Sequence, residues 1–162
     1  LGAEVIAVTG SPEKAEIARE HGAHHTLLLG RADLTARVRE LTGGRGVPVV
    51  YDSVGRDTFM ASLDCLRPRG LMVSYGNASG PVPPIAPLEL SKRGSLYLPR
   101  PTLFHYIAPR RELDRAAAEL FEVIESGAVK LRIGQTFALE DAAIAHRELE
   151  SRHTTGSTVL VP

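Results

Sequence analysis

Short β-branched runs alternate with helix-patterned stretches along the sequence, and glycine or proline marks most of the boundaries. Residues 4–9 (EVIAVT), 26–29, 48–52 (PVVYD), 71–75 and 95–98 read as strands, the first short, β-branched and apolar on both faces, as a strand covered on two sides would be. Residues 13–21, 33–41, 58–66, 88–92, 111–126 and 139–150 read as helices, with a short strand at 131–133 and a last one at 158–161. The helix at 111–126 shows its period best, placing Leu113, Ala117, Leu120, Phe121 and Ile124 on one stripe. Strands that take turns with helices form parallel sheets, because a parallel neighbour needs a crossover long enough to hold a helix. The expected fold is therefore α/β, a doubly wound parallel sheet of Rossmann type, in one domain over residues 1–162.

Composition removes other classes. Hydrophobic residues at 43% and charged residues at 23% supply enough apolar surface for a core, which excludes a disordered chain. Nineteen basic against nineteen acidic residues leave no net charge to attract nucleic acid or a membrane surface. No apolar run approaches the roughly 18 residues of a membrane span, and residues 1–4 (LGAE) lack the pattern of a signal peptide. One cysteine, Cys65, allows no intrachain disulfide and no thiolate cluster for zinc. These counts point to a soluble, cytoplasmic domain.

In parallel α/β sheets, ligands bind beyond the carboxyl ends of the strands. The loops there are small, polar and glycine-bearing: Gly10 to Lys14, Gly30-Arg31, Ser53-Val54-Gly55, Gly76 to Gly80, and Arg100-Pro101-Thr102. The strand–GxGxxG–helix pattern that admits a pyrophosphate to a helix N-terminus is absent. Gly43-Gly44-Arg45-Gly46 follows a helix and precedes a strand, so its glycines sit on the opposite rim and stop the helix. The sequence thus reads as a dinucleotide-binding sheet that lacks its first βα unit.

Three segments carry a family resemblance: residues 10–23 (GSPEKAEIAREHGA), 49–80 (VVYDSVGRDTFMASLDCLRPRGLMVSYGNASG) and 95–103 (SLYLPRPTL). They resemble the cofactor domain of NADPH-dependent quinone oxidoreductases, the zinc-free, zeta-crystallin-like branch of the medium-chain dehydrogenase/reductases. The likeness runs in order from Gly2 to Pro162, and its most specific part is YDSVG followed by LRPRGLMVSYGNASG. It implies a fragment of an enzyme whose first strand, glycine loop and catalytic domain lie outside this chain, and hydride transfer from NADPH to a quinone or similar electron-poor acceptor.

The resemblance also assigns residues. An acidic residue at the end of the first strand would bond a ribose 2′-hydroxyl and repel a 2′-phosphate. Here Val8-Thr9-Gly10-Ser11 offers no carboxylate, while Ser11 and Lys14 offer a hydroxyl and a cation, and the family places a phosphate-binding lysine at Lys14. Ser53 and Val54 would line the path of the ribose and nicotinamide. Tyr75, Gly76, Asn77 and Ser79 would hold the ribose and diphosphate. Pro101, Thr102 and Leu103 would approach the carboxamide, and Arg152 would lie near the cofactor. Leu29 departs from the family, which often has a tyrosine beside the adenine there.

No catalytic residue and no metal ligand is expected within the chain. His21, His24 and His25 lie on a helix end and a strand start rather than on converging positions. Cys65 sits in an amphipathic helix and reads as packed rather than reactive. The alternatives are a non-catalytic α/β interaction module without a nucleotide site, and an enoyl or alkenal reductase of the same superfamily. The strand from Ser95 to Leu98, next to Pro99 and Pro101, should form a sheet edge that pairs with a second copy, giving a homodimer.

Overall fold

A computed structural model of the protein describes residues 2–31, 33–151 and 153–162. It divides into two compact units, Leu1–Ala108 and Pro109–Pro162, where the sequence suggests one domain. The break falls at a proline, which sits in extended conformation just before a long helix.

The first unit holds two βαβ crossovers. Strand β1 (Ile6–Thr9) leads through helix α1 (Pro12–Glu20) to β2 (His25–Leu28), which pairs with it in parallel from Ile6↔His25 to Thr9↔Leu28. Helix α1 starts where expected because Ser11 caps it and Pro12 occupies its first turn, where an N–H has no helical partner anyway. Helix α2 (Leu34–Leu41), capped by Asp33, then leads to β3 (Val47–Asp52). Helix α3 (Phe59–Asp64) joins β3 to its parallel partner β4 (Leu66–Ser74). Residues 67–70, expected as a free turn before a strand, instead loop out within β4. The register jumps from Val47↔Leu66 to Val49↔Leu71, so four residues of β4 have one counterpart in β3. Arg69 takes a left-handed backbone there (φ 59°) and its N–H bonds to the Gly94 carbonyl at 2.7 Å.

After a loop comes the short helix α4 (Leu88–Lys92), as expected. The anticipated strand at 95–98 is reduced to one parallel bridge, Leu71↔Tyr97, with Tyr97 N–H donating to Gly70 and Met72 N–H donating to Tyr97, both at 2.9 Å. Beyond it the Ser74 N–H continues the pairing, donating to the Pro99 carbonyl at 3.2 Å. Ser95 has φ 58°, and Pro99 and Pro101 have no N–H to donate. A four-residue helix α5 (Leu103–Tyr106), not legible in the sequence, ends this unit.

One face of β3–β4 carries the core: Phe59 and Leu63 from α3 meet Leu66, Met72 and Leu96, with Val82, Ile85 and Leu90 packed around them. Leu63, Leu66 and Met72 are fully buried, each stabilising the fold by roughly 1.5–3 kcal/mol. On the β1–β2 pair no strand residue is fully buried. Among the described residues the two pairs share no ladder, so the single sheet anticipated from the sequence is present as separate parallel pairs.

The second unit begins with helix α6 (Arg110–Glu125), one residue earlier than expected. Its apolar stripe is present, yet Leu113, Leu120 and Phe121 stay exposed. Strand β5 (Ile133–Ala138) replaces the short strand expected at 131–133, and a 3-10 turn (Leu139–Asp141) precedes helix α7 (Ala142–Glu150). Strand β6 (Ser157–Val161) pairs with β5 in parallel, a third crossover.

Candidate cofactor site at the carboxyl ends of the strands

The carboxyl end of β1 runs into a capped helix. The Ser11 hydroxyl oxygen accepts from the Lys14 N–H at 3.2 Å, which leaves its own O–H to donate elsewhere. Lys14 follows in the first turn of α1, with the acidic Glu13 exposed beside it. Thr9 donates its hydroxyl to the Ser11 carbonyl at 3.3 Å and holds the turn. No carboxylate stands at the end of β1 itself. Leu29, just beyond β2, is exposed.

At the ends of β3 and β4 the structure brings together six of the expected residues: Ser53, Val54, Tyr75, Gly76, Asn77 and Ser79. Ala78 and Ser79 donate their N–H groups to the Ser53 and Val54 carbonyls, at 3.2 and 2.8 Å. The Ser79 hydroxyl donates to the Val54 carbonyl at 2.8 Å and accepts from the Asp57 N–H at 3.0 Å. Tyr75 donates its N–H to the Asp52 carbonyl at 2.9 Å. The two loops approach so closely that a Cβ on Gly76 would lie 2.2 Å from the Ser53 carbonyl oxygen. Above this joint, Ser53, Tyr75 and Asn77 are exposed and open to a ligand.

Beneath it lies Asp52, the sole buried charged group among the described residues. Its Oδ1 accepts from Val54 N–H (2.8 Å) and Gly55 N–H (2.9 Å), and its Oδ2 from the Thr58 (2.8 Å) and Ser62 (2.7 Å) hydroxyls. Burial pushes the carboxyl up, but the bonds from Gly55, Ser62, Thr58 and Val54 together outweigh it and hold the group below the usual carboxylate range. From the sequence alone Asp52 is only the last residue of the strand expected at 48–52. The signal was present in the spacing, with a glycine three, a threonine six and a serine ten residues beyond the acid.

Pro101, Thr102 and Leu103 follow the bridged segment, and Thr102 and Leu103 are exposed. Pro101 and Thr102 line a shallow cleft of about 300 Å3 with Pro99, Arg100, His105 and Tyr106. Arg100, which the sequence places in the loop 100–102 without a role, donates from its guanidinium to the Ser74 carbonyl at 2.9 Å, at the end of β4. Arg152 lies outside the described residues. His24 accepts from the Val5 N–H, and His25 pairs with Glu4 at 2.9 Å. Among the described residues no group of three or more His, Cys, Asp or Glu side chains converges, and burial pushes the Cys65 thiol up. These residues do not fit a bound metal ion.

Parallel crossovers with a capped helix after one strand and small, open loops after the others define a Rossmann-type α/β fold. Residues 21–160 match the family described as zinc-binding dehydrogenase, and the chain belongs to that family. A quinone oxidoreductase of Pseudomonas aeruginosa is 53% identical, aligned over 100% of this chain and 50% of its own length. A 2-haloacrylate reductase of a Burkholderia species is 48% identical, over 100% of this chain and 49% of its own length. The crystal structure of Escherichia coli quinone oxidoreductase complexed with NADPH superposes with a TM-score of 0.96 at 49% identity, covering 100% of this chain and 50% of that one. The chain thus spans about half the length of the curated relatives it matches.

Proposed function

We propose that the chain is the cofactor-holding half of an NADPH-dependent oxidoreductase that passes hydride to a quinone or similar electron-poor acceptor. The likeness over the whole chain to a quinone oxidoreductase complexed with NADPH supports this reading most. On this reading residues 1–162 form the NADPH-binding domain. When bound, the nicotinamide supplies the hydride, so the chain's own groups bind and orient rather than react. Ser11 and Lys14 take the 2′-phosphate, Ser53 and Val54 line the path of the ribose and nicotinamide, and Tyr75, Gly76, Asn77 and Ser79 hold the ribose and diphosphate. Pro101, Thr102 and Leu103 approach the nicotinamide carboxamide. The resemblance to the zinc-free branch implies a reaction without zinc. The enzyme acts in the cytoplasm; no helix among the described residues is long and apolar enough to cross a membrane. It works as a homodimer joined through the edge at residues 95–98.

The 2-haloacrylate reductase at 48% identity favours a second reading of the acceptor as an activated alkene. NADPH oxidation by the full-length enzyme, followed with a p-quinone and with an acrylate, separates the two. In the same enzyme Lys14→Ala should weaken NADPH by about 1.5–3 kcal/mol, the worth of charge-assisted hydrogen bonds, and leave NADH nearly unchanged. Equal losses for both cofactors would remove Lys14 from the phosphate site. No oxidation with either acceptor would remove the function.

A further inference from the structure

A buried acid usually answers to one task, and here it answers to several at once. Four donors converge on the Asp52 carboxylate, two from the turn after β3 and two from the base of α3. Helix capping does not account for this. Thr58 stands at the N-cap of α3, yet its hydroxyl makes no cap bond and turns to Asp52 instead. What the carboxylate fixes is the turn 53–55, and the second loop hangs on that turn. Ser53 and Val54 carbonyls hold Ala78 and Ser79, and the Gly80 carbonyl accepts from Arg56 N–H at 3.2 Å. There is no slack between the loops. A Cβ on Gly55, which takes φ +89°, would lie 2.7 Å from the Gly80 carbonyl oxygen, and one on Gly76 would meet Ser53.

We infer that Asp52 is the positioning residue of this rim: through the turn 53–55 it sets where the 75–79 loop presents Tyr75 and Asn77 to the nicotinamide nucleotide. The inference rests on the cofactor reading given above and adds to it a residue that touches no ligand. A displacement of a binding loop by about 1 Å can cost orders of magnitude in a reaction that depends on placement.

The stereochemistry also says which substitution should be tolerated. In Asp52→Asn the carbonyl oxygen can keep both backbone N–H bonds. The new NH2 can donate to Thr58 and Ser62, whose hydroxyls then donate elsewhere; the Gly55 carbonyl already lies 3.4 Å from the Thr58 hydroxyl. Asp52→Ala leaves all four donors without the carboxylate.

The test uses the full-length enzyme, NADPH and 1,4-benzoquinone. Loss of folded molecules alone lowers the apparent kcat and leaves both KM values unchanged, whereas a displaced loop changes the KM for the ligand it holds. Asp52→Ala should raise the Kd and KM for NADPH by about tenfold or more, with the benzoquinone KM shifted by less than about threefold. Asp52→Asn should stay within about threefold of wild type on every constant. If Asp52→Ala does not fold, Thr58→Val carries the test, since it removes one donor at constant shape and should still raise the NADPH Kd by about threefold. A folded Asp52→Ala, or in its place Thr58→Val, with unchanged NADPH affinity overturns the inference, as does an Asp52→Asn enzyme as impaired as Asp52→Ala. In those cases wild type still binds NADPH and only the positioning role is lost. A wild-type enzyme that binds no NADPH sinks the cofactor reading and the inference together.

Discussion

Asp52 shows how a single side chain links stability to pH in this protein. Its carboxyl is held below the usual range in the folded state, so folding favours its charged form. The stabilisation is fully present above the unfolded carboxyl value of about 3.9 and is lost as the pH falls through the lowered folded value. Asp52→Asn has no carboxyl to titrate, so the stability gap between wild type and this variant should shrink as the pH is taken from 7 down toward 2. Denaturant melts at a series of pH values would show it, and a constant gap would mean that the group does not titrate differently on folding. At this scale the sequence was informative where a residue acts through its own neighbours, as with Ser11 and Pro12 at the start of α1. It showed the donor types spaced after Asp52 but not that they meet on its carboxylate, and nothing of the Arg100 bond to Ser74, 26 residues away. The pattern of types is visible in a sequence, but convergence is not.

Among the elements, helices were read to within a residue or two wherever a cap or a glycine stop marked them, and strands less well. β4 was missed at its start because residues 67–70 look like a turn and are in fact a loop inside a strand. β5 was misplaced because its exposed and half-buried residues give no apolar run. The bridged segment around Tyr97 matters most for assembly. The N–H and C=O of Tyr97 both face β4, the Leu96 N–H donates to the Leu90 carbonyl at 3.1 Å, and Tyr97 is 60% exposed. If two copies join at this edge, Tyr97→Lys should turn the dimer into a monomer, because charged side chains on an edge strand oppose pairing and twofold symmetry brings the two charges close. Sedimentation of the full-length protein decides it. A wild-type monomer at high micromolar concentration, or a dimeric variant, removes this interface.

At the level of the whole molecule, the order of strands and helices was legible and the division into two units was not, because contact density is a property of distant pairs rather than of local pattern. Burial is also uneven within the first unit. The Met72 amide, bonded to Tyr97 over a fully buried side chain, should exchange its hydrogen at least about tenfold more slowly than the Leu29 amide, which is bonded to Thr9 in a pair without buried strand residues. Equal protection at both amides would show that the unit opens as one piece. Among the described residues the two strand pairs share no ladder bond, which bears on any dinucleotide that reaches from Lys14 to Asn77. Such a ligand would tie together two strand pairs that no ladder joins, adding by mass action about 2.7 kcal/mol at a hundred times its dissociation constant. The weaker pair has the most to gain. Saturation would then bring the Leu29 amide toward the protection of Met72, and the cofactor would be one of the bonds that make the unit cooperative.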